Sequence, residues 1–371
     1  MKIKWLDITR QNKLIKEPFL KLVNEIIDSG NISMGRFCQE LEEKWAEMNG
    51  AKYCALLSSG TDALTLTIDA LSIKGPIITT SLSFIATTNA ITLNRKGVIF
   101  CDVRGEDANI NSLEVLSKMS SQKYFNPVGA ILATAMYGCP PDLENLSNIA
   151  KQYKIPLIID CCQAHLSTYK QKNIIDYCDA IIHSFYTTKN IGAITELGAL
   201  LTNDKNLYEN IQSLKNHGRG VNNYEFDEIG YNCRPSEIGA ASLLVKLPYI
   251  QGWTRRRIEI ANIYNKKLKP LKEKHFLKYL EPFDGSECVF HLYPIFVKNR
   301  DAIRGKLLEL GVETQKQYPL PIHNQKAYIE LGQGPFPVSE ELCRTVITLP
   351  CYPEMTISEI GYVCDSLLKC I

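Results

Sequence analysis

Seven short apolar stretches limit what this chain can fold into more than any other feature. They read AKYCALLSS, PIITTS, GVIFCDV, VGAILATAM, PLIIDC, DAIIHSF and GALLTND. Between several of them lie helical patterns such as TDALTLTIDAL, LENLSNIAKQYK and LYENIQSLKNH. The apolar stretches are unbroken runs, as a sheet covered on both faces requires. Strand and helix in turn predict an α/β layer structure around a mainly parallel central sheet. Apolar residues at three- and four-residue spacing over roughly 16–29 and 36–48 add a helical arm in front of it.

After about residue 250 the texture changes. A long helical pattern, TRRRIEIANIYNKKLKPL, leads into strand-like CVFHLYPIFV, the helix RDAIRGKLLELG, a Pro/Tyr-rich loop QYPLPIHNQ and a closing helix SEIGYVCDSLLKC. The expectation is a large domain over 1–250, including the arm, and a smaller C-terminal α+β domain over 251–371. At 371 residues the chain exceeds one typical core, which agrees with two packed units.

A formal net charge of +2 gives no field that would recruit nucleic acid or an anionic membrane. The one basic run, Arg255, Arg256 and Arg257, sits in a helical pattern and is expected on a solvated face. MKIKWLDITRQ lacks the apolar region of a signal peptide, and no apolar run reaches membrane-spanning length, so a cytoplasmic protein is expected. There are 13 cysteines, an odd count with no CxxC pair, and Cys161 and Cys162 are adjacent. Reduced thiols acting as small core residues are the expectation. The histidines at 165, 183, 217, 275, 291 and 323 show no ligand spacing, so no metal is expected.

Four stretches fall at strand ends or turns, where open α/β sheets place ligands. In SSGTDAL a strand ends, Gly60 permits a tight backbone, and a helix begins at Thr61 and Asp62. Backbone N–H groups and a hydroxyl there can seat a phosphate, although an ordinary N-cap has the same pattern. Asp160 closes the strand IPLIID; a carboxylate after five apolar residues either caps the next turn or meets a positive partner such as a pyridinium nitrogen. Lys189 in HSFYTTKN is flanked by hydroxyls, aromatics and a glycine. A lysine that must react as an amine has to lose its proton, which a partly desolvated, cation-rich pocket promotes. Ser184, five residues earlier, could be another phosphate donor. Asn232 in IGYNCRPSEIGAASLLVKL reads alone as a turn residue.

In this order and spacing the four pieces resemble a pyridoxal-phosphate enzyme of the aspartate-aminotransferase fold. More narrowly, the chain resembles the DegT-type (DegT/DnrJ/StrS) sugar aminotransferases, which make amino sugars from nucleotide-linked keto sugars. The likeness runs nearly end to end through GNISMGRF, SSGTDAL, SFIATTNAI, MYGCPPDLENLSNIAK, IIDCCQAH, SFYTTKNIG, NHGRG, GYNCRPSEIGAA, QYPLPIH, FPVSEEL and LPCYPEMT.

The resemblance implies roles position by position. Lys189 would anchor the cofactor covalently and shuttle the proton. Asp160 would pair with the ring nitrogen and Gln163 with the phenolic oxygen. Gly60, Thr61 and Ser184 would hold the phosphate, and Phe84 would stack on the ring. Asn232 would reach the phosphate from the neighbouring subunit of a homodimer. The implied reaction runs through pyridoxal and pyridoxamine phosphate, with glutamate as donor and a nucleotide-linked keto-deoxysugar as acceptor, in surface polysaccharide or related amino-sugar biosynthesis. Tyr318 and His323 could touch the sugar; His217 and Arg219 fall near the entrance.

The chain departs from the family pattern at Ile159, Cys161 and Cys162, at Gln317-Tyr318-Pro319 in place of HYP, and at Ala135-Met136. The sugar side is where the departures bear most. Three rivals stand beside this reading. The dehydratase branch of the family has histidine in place of the lysine, so Lys189 argues against it. A non-catalytic regulatory protein has no need of Lys, Asp, Gln and the phosphate turn together. A nicotinamide-dependent enzyme needs GxGxxG after its first strand, and no such string occurs.

Overall fold

The computed structural model describes residues 1–121, 127–222 and 224–371. Seven strands form the main sheet: β1 Tyr53–Leu57, β2 Ile77–Thr80, β3 Val98–Cys101, β4 Ala130–Thr134, β5 Leu157–Asp160, β6 Ala180–Ser184 and β7 Gly198–Thr202. Their order is β1-β7-β6-β5-β4-β2-β3. β2 to β6 pair in parallel, while β7 runs antiparallel to both β1 and β6. The expected mainly parallel α/β sheet is thus the observed one.

Burial explains the unbroken apolar runs. In β4, Ile131 and Ala133 face one core cluster while Ala130 and Leu132 face another on the opposite side. Helices α1 Ile8–Ser29 and α2 Arg36–Met48 supply apolar residues to the first face. Helices α3 Gly60–Ala70 and α4 Ala86–Leu93 pack on the second. With helices on both faces, most strand positions carry apolar side chains, and polar ones such as Thr79, Thr80, Thr134 and Asp160 come toward the strand ends.

The strand order reverses between β2 and β4, because the chain runs from β2 out to β3 and returns on β2's other side. Such a reversal opens a crevice at the carboxyl ends of the strands. Asp160 ends β5 beside Thr134, which ends β4.

Later residues build a second, three-stranded antiparallel sheet from Leu277–Tyr279, Tyr293–Val297 and Val346–Leu349, with the middle segment central. The strand expected over CVFHLYPIFV is confined to its last five residues. The long helix α5 Ile250–Glu273 leads into this unit. The start of the chain packs on it too: Ile3 bridges to Val312, and Arg10 pairs with Glu359 at 2.5 Å.

Two expectations are corrected here. Arg257 is not solvated: it is 3% exposed and its guanidinium donates to the carbonyls of Phe290, His291 and Cys351, pinning the segment that walls the site. Only one face of α5 meets water, and Arg257 falls on the other. Cys139 and Cys288, 149 residues apart, form a disulfide, whereas all cysteines were expected reduced. Folding brings the loop after β4 against the segment between the first two strands of the second sheet, a proximity that no local spacing encodes. Among the described residues no helix is long and apolar enough to cross a membrane.

Candidate active site

Strand ends and later loops enclose a cavity of ≈ 390 Å³ at the carboxyl edge of the main sheet. Gly60, Thr61, Phe84, Asp160, Gln163, Ser184, Lys189 and Tyr318 all line it.

At one end, Ser59 caps α3 by accepting the Asp62 N–H at 3.1 Å. Gly60 is required by space, since a Cβ there would stand 2.7 Å from Ser184 Cβ and 3.2 Å from Cys162 Sγ. The first turn of α3 therefore lies against the end of β6. Its free N–H groups and positive helix end, with Thr61 and Ser184 on the wall, make an anion seat.

On the floor, Asp160 is 5% exposed. Its Oδ2 accepts from Thr87 Oγ1 at 2.7 Å and its Oδ1 from the Cys162 N–H at 3.1 Å. Among the described residues no cation pairs with it. Gln163 is held at both ends: Oε1 accepts the Tyr137 N–H at 2.8 Å, and Nε2 donates to Tyr318 Oη at 3.3 Å. Tyr137 Oη in turn donates to the Gln317 carbonyl at 2.6 Å, so the loop after β4 links the floor to the later chain.

Lys189 follows β6 in a turn closed by its own N–H on the Tyr186 carbonyl at 2.8 Å. Burial pushes its amine below the ordinary lysine value, with Cys162 and Asp160 opposing. Of the partly desolvated, cation-rich surroundings expected from the sequence, desolvation is the leading cause.

Phe84 is 53% exposed, with its ring 5.9 Å from that of Tyr318. It is no core residue; it stands in the cavity wall. Burial pushes the Tyr318 phenol up. Two further positions named from the sequence lie outside this chain's own cavity. His323 is buried outside the cavity, its Nε2 3.0 Å from Glu340 Oε1 and its ring edge-on to Phe336. Asn232 is exposed and outside the cavity, its Oδ1 accepting from Arg234 Nε at 3.1 Å. His217 and Arg219 are exposed and also outside it.

The cavity holds residues that nothing in the sequence singled out: Trp5, Ser83, Thr87, Thr134 and His291. Ser83 and Thr87, four apart in SFIATT just past β2, carried a readable signal. Trp5 and His291 carried none, because tertiary packing alone brings them there.

A mainly parallel sheet with a cavity at its carboxyl edge places the chain in the class of ligand-binding α/β folds. Within that class the chain belongs to the DegT/DnrJ/EryC1/StrS aminotransferase family, which it matches over residues 13–368. It is 34% identical over 367 residues to the dTDP-3-amino-3,6-dideoxy-alpha-D-galactopyranose transaminase of Aneurinibacillus thermoaerophilus, with 98% of each chain covered. Among solved structures it is similar to S. venezuelae DesV in complex with a ketimine intermediate, at TM-score 0.93 and 26% identity over 99% of this chain and 98% of that one. It is also similar to ntda from Bacillus subtilis with bound cofactor PMP, at TM-score 0.90 and 26% identity over 100% of this chain and 85% of that one.

The protein is an aminotransferase, and its cofactor is pyridoxal 5′-phosphate. The cavity fits that group. A buried carboxylate with two donors and, among the described residues, no ion pair suits a protonated ring nitrogen, and a glycine whose Cβ would fill the cradle suits a phosphate.

Proposed function

We propose that this chain aminates a nucleotide-linked keto-deoxysugar, taking the amino group from glutamate, in surface polysaccharide or related amino-sugar biosynthesis. The observation that carries the reading is a half-buried lysine of depressed basicity in one cavity with Asp160, Gln163 and the α3 anion seat.

When bound, pyridoxal phosphate supplies an electron-withdrawing ring that takes up an amino group from one partner and releases it to the other. Asp160 would hold the proton on the ring nitrogen. Gln163, fixed by Tyr137 and Tyr318, would donate to the phenolic oxygen. Gly60, Thr61 and Ser184 would bind the phosphate, and Phe84 would cover a ring face. Lys189 Nζ would be the covalent anchor and, once free, the base that takes up a proton and returns it. A general base of this kind contributes about 10²- to 10⁴-fold, and its lowered pKa brings it nearer the operating pH. Tyr318 and Trp5 stand on the sugar side.

Asn232 lies outside its own cavity in an exposed stretch that includes Val221, Tyr224, Phe226, Ile229 and Tyr231. That apolar exposure supports a homodimer in which Asn232 completes the phosphate site of the partner subunit. The division near residue 250 into a cofactor-binding unit and a smaller unit, and a cytoplasmic location, belong to the same proposal.

Glutamate added to purified holoenzyme should remove the visible absorbance of the pyridoxal form, and nucleotide-linked keto sugars added next should restore it as they are aminated. A holoenzyme that ignores glutamate, or that aminates no keto-sugar nucleotide in a screen, would contradict the proposal. Mixing Asn232→Ala with Lys189→Ala should regain activity through hybrid dimers; exchange of subunits without recovery would rule out the shared site.

A further inference from the structure

Four buried side chains line up in the crevice between β2, β4 and β5. Thr134, Ser83, Thr87 and Asp160 are 3%, 4%, 1% and 5% exposed, and all four line the cavity. Thr134 Oγ1 lies 3.3 Å from Ser83 Oγ, Ser83 Oγ lies 2.8 Å from Thr87 Oγ1, and Thr87 Oγ1 lies 2.7 Å from Asp160 Oδ2. The direction of this chain follows from its end. A carboxylate only accepts, so Thr87 donates to Asp160. With its single proton committed, Thr87 must accept from Ser83, and Ser83 in turn accepts from Thr134. Three hydroxyls thus point their protons one way, toward one oxygen. The Cys162 N–H holds the other oxygen at 3.1 Å.

We propose that Thr87 is a positioning residue for Asp160, and that Ser83 and Thr134 fix the direction in which its hydroxyl donates. The proposal rests on the reading of Asp160 as the partner of the cofactor's ring nitrogen. Held by one donor on each oxygen, the carboxylate cannot turn about its own axis without breaking both bonds, and its remaining acceptor sites are left for the cavity. A free Thr87 hydroxyl could rotate and turn a lone pair on the carboxylate; donation from Ser83 removes that choice. Hydrogen bonds in such a chain polarise one another, so the links act as a unit.

Thr87→Val deletes the donor at nearly constant shape, and Thr87→Ser retains it. The expected result for Thr87→Val is a kcat lower by about 10- to 100-fold with KM for the keto sugar within about twofold. In the same variant the nitrogen NMR signal of labelled cofactor should move toward unprotonated pyridine, with Thr87→Ser close to the parent. Ser83→Ala should lose about 3- to 10-fold, and the Ser83→Ala/Thr87→Val double variant should be no worse than Thr87→Val alone, because the links are serial. Parental kcat and ring-nitrogen signal in Thr87→Val, or additive losses in the double variant, would overturn the proposal. Should Thr87→Val fail to fold, the ring-nitrogen signal of Ser83→Ala decides: a parental signal overturns it. An Asp160→Asn variant at full kcat would sink the underlying reading of Asp160. An inactive Asp160→Asn beside a fully active Thr87→Val would sink the positioning role alone.

Discussion

The floor of the cavity and its mouth are built by opposite means. Floor residues sit at or just beyond neighbouring strand ends of one sheet, with Thr87 on the helix α4 that follows β2, and Asp160, Gln163 and Thr87 are buried and hydrogen-bonded to fixed partners. The mouth is assembled from Trp5, Phe84, Tyr186, Glu196, Gln317 and Tyr318, which come from well-separated segments of the chain. Phe84 and Tyr186 are 53% and 47% exposed. A packed sheet edge fixes atoms to the tolerance that proton transfer needs. Side chains on separate segments can change one at a time without disturbing that edge. On the proposed reading, reaction and sugar choice would reside in different parts of one cavity, a division that mutation can break or sharpen.

The largest expected effect is on the floor. Lys189→Ala should lower kcat by roughly 10³-fold or more while the cofactor still enters noncovalently, because both the anchor and the base are lost. Single-turnover kinetics with glutamate and with keto sugar should show both halves affected alike. A loss confined to the sugar half would place Lys189 with the mouth.

Next comes pH. Burial depresses the Lys189 amine, so it is uncharged at lower pH than an ordinary lysine. The rate should then rise with pH on a limb whose midpoint lies below 10.5. Phe84→Ala readmits water, relieves the desolvation and should move that limb to higher pH. An unmoved limb would mean that the mouth does not set the basicity of the floor.

Mouth substitutions should act on selection. Trp5→Ala and Tyr318→Phe should raise KM for the keto sugar by about 3- to 10-fold, with the glutamate half-reaction falling less. A larger effect on glutamate than on sugar would erase the division between the two regions.

The smallest kinetic effect belongs to a pair remote from both. Glu359 accepts from Arg10 and its carboxyl is pushed down to about 2, with its hydrogen bonds to Thr356 helping. An acid with a depressed folded pKa stabilises above its unfolded value and loses that contribution as pH falls. Here the contribution is complete above 4.5 and fades toward about 2. Glu359→Gln should lower thermal stability at neutral pH by about 1 kcal/mol, and the difference from the parent should shrink in acid, with kcat and KM unmoved. A changed KM would show that the start of the chain couples to the mouth.

The same contrast explains what could be read from the sequence. PLIIDC, DAIIHSF and SSGTDAL were legible because strand, turn and functional residue are contiguous, and burial on both faces leaves an apolar signature. Lys189, Asp160 and the Gly60 turn were each ambiguous alone and became a site only through their order. Ser83 and Thr87 lie four apart in SFIATT, but their bearing on Asp160 depends on β5, which only the folded sheet brings beside them. Trp5, His291 and the Cys139–Cys288 link depend on contacts between distant segments, which no local pattern encodes. His323 shows the converse: a loop histidine that reads as a contact residue is buried against Phe336.

Borohydride reduction of the holoenzyme, followed by peptide mass spectrometry, tests the central claim most directly. Reduction makes a linkage between an amine and the cofactor's carbonyl permanent, so the modified residue can be read from the peptide. The expected result is a pyridoxyl group on Lys189 alone, lost when glutamate is added before reduction. Label on another lysine, or none on a preparation that carries cofactor, would contradict it.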